Sequence, residues 1–170
     1  GTLVHLKEQY IETLQSEIDV DKERIKSVSG SPPEYDKIMK MIRSKREELI
    51  SFVESNGLTY PKSLAEELAD EQREIISNLQ RNLSTAEGCG ISAIQNELGE
   101  AKSRLEALEK DIMSDMVYVW EISKETEHKK VCSQIYERLA PLAVNYGTPK
   151  IVNDCIDYRL KEIEGETREE

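Results

Sequence analysis

The sequence predicts an all-α fold: an elongated antiparallel helical bundle of coiled-coil character, with four long helices and one or two shorter C-terminal helices. Three observations carry that expectation. Apolar residues recur at spacings of three and four along most of the chain, the period of a helix that buries one face. Charged residues make up 34% and aromatic residues 5% of the 170 residues, which suits narrow helical seams better than a sandwich or barrel. Proline and glycine gather in short clusters ("SGSPPE", "NGLTYP", "GCG", "NYGTP") that cut the chain into helix-length pieces.

The first helix is expected from about Leu3 to Val28. Val4, Ile11, Ile18 and Ile25 recur every seven residues, with Leu14 and Val28 in the second seam position. Lys7 and Asp21 interrupt that second position, so the seam is imperfect. Ser31, Pro32 and Glu34 then form a capping-box pattern with proline at the first helical position, starting a second helix that reaches about Ser55. Its stripe is Tyr35, Ile38, Ile42, Leu49 and Phe52, broadened by Met39 and Val53. Asn56-Gly57 supplies a left-handed end.

Ser63 with Glu66 forms a second capping-box pattern and opens the third helix, whose face is Leu64, Leu68, Ile75, Leu79 and Leu83. The fourth helix is the most regular, with Ile91, Ile94, Leu98, Ala101, Leu105, Leu108 and Ile112 in unbroken seam spacing. The pattern slips at Asp115 and resumes at Val119 and Ile122. This helix either continues as a rod of about 70 Å or breaks in the polar run "SKETEHKK". Helices one to three match its first half in length, so its second half, from Met116, is expected to outrun them. A last helix starts at Thr148-Pro149, with Ile151, Val152, Cys155, Ile156, Leu160 and Ile163 on its apolar face. Short connections make consecutive helices antiparallel neighbours.

Length bounds the chain to one domain, residues 1–170. Beginning with Gly-Thr and stopping within "EIEGETREE", it is expected to be a piece of a longer coiled-coil protein, with residues 1–2 a cloning remnant. The net charge of −11, from 23 basic and 34 acidic residues, argues against nucleic acid and against broad adsorption to anionic membranes. No apolar run approaches the ~20 residues of a spanning helix. The opening "GTLVHLKEQY" pairs no basic stretch with a long apolar core and is not expected to be a secretory leader. Cys89, Cys132 and Cys155 are widely spaced without a CxxC pair, the pattern of reduced thiols in an intracellular protein.

Motifs that could carry chemistry reduce to structural readings. "GCGISA" (Gly88 to Ala93) matches the loose form of a dinucleotide fingerprint, but the residues before it are polar and helical instead of a buried strand, so it reads as a helix–helix turn. Glu125 and His128 give one E-x-x-H, whereas a carboxylate-bridged di-metal bundle needs two such pairs and two more inward carboxylates. Cys132 follows His128 by one turn but shares an apolar stripe with Val131 and Ile135, which favours packing over nucleophilic use. No cofactor or metal is expected, and no catalytic activity.

Two features point to partners. Met116, Tyr118, Val119, Trp120, Val131, Ile135, Leu139 and Leu142 are the candidate partner interface, lying where the fourth helix is expected to outrun its cover. Lys37, Lys40, Arg43, Lys45 and Arg46 form a basic run in an acidic chain, a candidate patch for an acidic partner or lipid head groups. The leading expectation is a cytoplasmic (or nuclear) interaction or scaffold module, cytoskeletal in style, that presents helix faces to partner helices and is capable of dimerising. The alternative is a dimeric lipid-surface binder using the basic run. A bundle enzyme with a carboxylate-bound metal comes third.

Overall fold

The computed structural model describes residues 1–28 and 30–146; the helix expected from Thr148, and Cys155 with it, lies outside the described residues. Among the described residues the chain is all-α, with helices α1 (Thr2–Ser27), α2 (Pro32–Asn56), α3 (Leu64–Thr85), α4 (Cys89–Glu125) and α5 (Lys129–Tyr146) and no strand. Most of the punctuation read from the sequence does what its chemistry demands. Gly57 closes α2 in the left-handed region at φ 61°. Ser63 and Glu66 form a complete capping box, each side chain meeting the other's backbone N–H at 3.3 Å. Ser31 makes no such bond; Pro32 and Pro33 lack N–H groups, so the start of α2 has fewer donors to satisfy.

The long fourth helix breaks. α4 ends at Glu125 in a Schellman turn, with His128 N–H donating to the Ser123 carbonyl (2.8 Å) and Glu127 N–H to the Lys124 carbonyl (3.2 Å). The left-handed residue is Glu127, at φ 59°, where a side chain costs about 1–2 kcal/mol that glycine would not. The return of α5 along α4 offsets that cost. Val131, Ile135 and Leu139 become almost fully buried, and the Glu54 carboxylate of α2 accepts the first free amides of α5, Lys130 N–H at 3.0 Å and Val131 N–H at 2.8 Å. Glu54→Gln is therefore expected to lower stability by about 1–2 kcal/mol, seen as a melting temperature reduced by a few degrees. An unchanged melting temperature would show that water serves these amides as well.

This break reverses the expected cover of α4. The main core runs through α1, α2, the second half of α4 and α5, and includes Ile18, Leu49, Ile50, Val53, Trp120 and Ile135. The second half of α4 is thus the best-covered part. Its first half packs mainly against α3, over the small cluster of Ile76, Leu98 and Ala101, while Leu105 and Leu108 also touch the main core. Consecutive helices pair as α1–α2, α3–α4 and α4–α5, but α2 and α3 share little contact. The loop between them is drawn onto α5 instead. Gln134 clamps it with both amide atoms, accepting from Tyr60 N–H at 2.7 Å and donating to the Leu58 carbonyl at 3.0 Å. Arg138 donates to the Tyr60 and Pro61 carbonyls (2.8 and 3.3 Å) and grips Glu66 of α3 through both oxygens at 2.5 and 2.6 Å.

Two of the three interruptions of the hydrophobic pattern, Asp21 and Asp115, find partners in the same region. Asp21 of α1, 3% exposed, accepts from Lys45 of α2 at 2.8 Å. Asp115 of α4 pairs with the buried Arg46 of α2, and Lys22 of α1 stands 3.4 Å from the same carboxylate. A charged layer from three helices thus crosses the bundle where an uninterrupted apolar seam would let helices slide. Buried polar pairs of this kind specify register more than they add stability.

Candidate functional site

The first half of α4 and its partner α3 form a two-helix hairpin rooted in the main core through Ala69, Leu105 and Leu108, with its far part, beyond Gln72 and Ala101, outside that core. Its base is fixed by polar contacts. Gln72 Nε2 donates to the buried Ala101 carbonyl at 3.2 Å, and Arg73 lies 3.7 Å from the buried Glu109 carboxylate. Tyr146 of α5 sits beside Glu109; burial first, then that carboxylate, pushes the Tyr146 phenol up. From Glu109 to the start of α4 at Cys89 the rise is about 30 Å. Gly88, at φ 65°, makes the turn at the tip where "GCGISA" lies, so the glycines serve a helix–helix reversal.

From about Ala101 to the tip each helix has only one neighbour among the described residues, so the seam is covered on one side. Leu79, Leu83, Ile94 and Leu105 are half-buried, while Ile75 and Ile91 are exposed. Charge is also scarce near the tip. Between Ile75 and Asn96 only Arg81 and Glu87 are charged, the rest being apolar, amide, hydroxyl or small residues. An apolar seam with depleted charge is the composition of an interface core, and it contrasts with the charged remainder of the chain. The signal lay open in the sequence, but it has meaning only once the hairpin is known to project.

The residues singled out from sequence fall elsewhere. Met116, Val119, Trp120, Val131, Ile135, Leu139 and Leu142 are buried within this chain, because α2 and α5 cover the second half of α4. Of that group only Tyr118 faces solvent, 52% exposed, with the Arg46 guanidinium 6.0 Å from its ring centre. Apart from Tyr118 these side chains are core, so the second half of α4 does not present them as an open face.

The basic run is largely consumed inside the molecule. Arg43 bonds Glu47 at 3.0 Å and Glu125 at 2.8 Å, Lys45 bonds Asp21, and Arg46 bonds Asp115. Lys37 and Lys40 remain exposed and make no ion pair among the described residues. A five-charge patch is therefore not assembled.

Glu125 and His128 do not converge on a common point: Glu125 reaches Arg43, and His128 Nδ1 lies 2.6 Å from Thr126 Oγ1 in the turn before α5. Among the described residues no group of three His, Cys, Asp or Glu side chains converges as metal ligands. Cys132 is buried and Cys89 exposed, and neither is in a disulfide. No helix among the described residues is long and apolar enough to cross a membrane. No protein-family model matches this chain, and no curated protein or solved structure shows significant similarity to it.

Proposed function

We propose that this chain is a non-catalytic protein-interaction or scaffold module of a larger intracellular coiled-coil protein, and that the α3–α4 hairpin presents its open seam to partner helices. The observation that carries this reading is the charge-depleted, half-covered seam around Leu79, Leu83 and Ile94. Two helices cannot close an apolar seam that four helices close in a bundle, and added helices bury what remains in contact with water. The main core beneath supplies rigidity, so the hairpin is offered in a fixed orientation. Such pre-organisation lowers the cost of association.

The test is site-specific photocrosslinking in cells. Benzoylphenylalanine placed at position 83 or 94 is expected to give discrete higher-mass adducts, whereas the same group at Leu3, exposed by 65% on α1, gives none. Adducts of equal intensity at all three positions, or at none, would remove the hairpin as the working surface.

A further inference from the structure

A second surface has the opposite character. Between α1 and the loop leading into α3 runs an open groove of about 900 Å³. Its floor is apolar, formed by Ile11, Val20, Tyr60, Pro61 and Leu64, with Val20 and Leu64 well exposed. Its rim is acidic: Glu8, Glu12 and Glu23 on α1, and Glu67 on α3. Arg24 and Lys62, the basic residues of the lining, are engaged with Asp21 at 3.4 Å and Asp70 at 2.7 Å. Glu8, Glu12 and Glu67 make no ion pair among the described residues. Glu8 and Glu12, one turn apart on α1, repel each other and weaken the helix they stand on. Asp19, set deeper, is held above the ordinary carboxylate range by burial, against hydrogen bonds from Gln15 and the Leu64 N–H. The charge of the rim is therefore carried by glutamates that face water, and a cationic occupant would relieve it.

We propose that this groove is the docking site for a basic amphipathic helix of a partner protein, with an apolar stripe on the floor and lysines or arginines against the glutamates. The stripe from Glu8 to Glu23 spans about 23 Å, the length of four helical turns. Electrostatics disfavour the other occupants. Residues 147–170 of this chain carry four basic against seven acidic side chains (Lys150, Arg159, Lys161 and Arg168 against Asp154, Asp157, Glu162, Glu164, Glu166, Glu169 and Glu170). A second copy brings a net charge of −11, and three residues of its basic run are already ion-paired. The proposal shares no residue with the hairpin seam, so either can fail alone.

The test titrates the full chain with an 18-residue synthetic helix of leucines at coiled-coil spacing flanked by lysines, and with the same peptide carrying glutamate for lysine. Saturable 1:1 binding of the basic peptide is expected, with the acidic one at least about tenfold weaker. Glu12→Lys with Glu67→Lys should weaken binding by about tenfold or more. The control pair Glu97→Lys with Glu100→Lys changes net charge equally on the distant hairpin and should weaken it by less than about threefold. Val20→Gln should cost about threefold with no change of charge. Equal losses from the groove and control pairs would reduce the binding to net charge and overturn the proposal. So would equal binding of both peptides, or an affinity unmoved by the groove pair. A dimer in sedimentation that Glu12→Lys with Glu67→Lys dissociates would give the groove to a second copy, also overturning it.

Discussion

Arg46→Ala is expected to destabilise the protein by about 3–5 kcal/mol, the cost of leaving a poorly solvated carboxylate without its partner. The side chains of Arg46 and Asp115 are only 8% and 15% exposed, so water cannot replace the missing guanidinium freely. Lys22, 3.4 Å from Asp115, compensates in part, which places the effect at the lower end of the range. In urea the midpoint should fall by about 1–2 M for a typical slope. The double variant Arg46→Met with Asp115→Leu should recover most of the loss, because two apolar side chains remove the desolvation cost together with the pair. A loss under about 1 kcal/mol for Arg46→Ala would mean the layer is hydrated and sets no register.

Trp120→Ala is expected to cost about 3–5 kcal/mol, against a total stability of about 5–15 kcal/mol for an ordinary domain. Trp120 is 2% exposed in the main core, and Lys124 Nζ lies 4.9 Å from its ring centre. The melting temperature should drop by about 10 °C or more. Trp120→Phe should keep most of the packing and lose far less. As the chain's one tryptophan, it also reports on its own surroundings: emission should shift to longer wavelength on unfolding, at the same midpoint as the loss of helix. A stable Trp120→Ala variant that had lost only partner binding would return this residue to an interface role.

How much of this was legible before folding differs from element to element. α1 and α2 end within a residue of where their apolar periods and caps place them, and α3 starts where its capping box does, because Gly57, Ser63 and Glu66 act through bonds to backbone only a few residues away. The same periods give part of the core: Ile11, Ile18, Ile38, Ile42 and Leu49 are buried as expected, whereas Val4, Tyr35, Leu64 and Leu68 are exposed and α3 buries Ala69 and Ile76. The faults at Asp21 and Asp115 were visible as faults, but nothing local says that Lys45 and Arg46 answer them. Asp115 and Arg46 are 69 residues apart, and only docking brings them together.

Sequence alone determined the all-α class, the helix count before residue 147 up to one break, the acidic balance of the chain and the amphipathic character of its helices. These follow from short-range chemistry and from a period that any burial must satisfy. Tertiary structure decided which half of the long helix is covered. Apolar residues recur at helical spacing on both sides of Asp115, so periodicity does not say which half is covered. The choice was made at Thr126 to His128, where a glutamate takes a left-handed turn that glycine usually marks, and the burial of α5 with the Glu54 cap outweighs the local strain. The return of α5 turned Trp120 and its neighbours into core and drew the loop into α3 onto Gln134 and Arg138. The α3–α4 hairpin was thereby left as the part of the chain with an open seam.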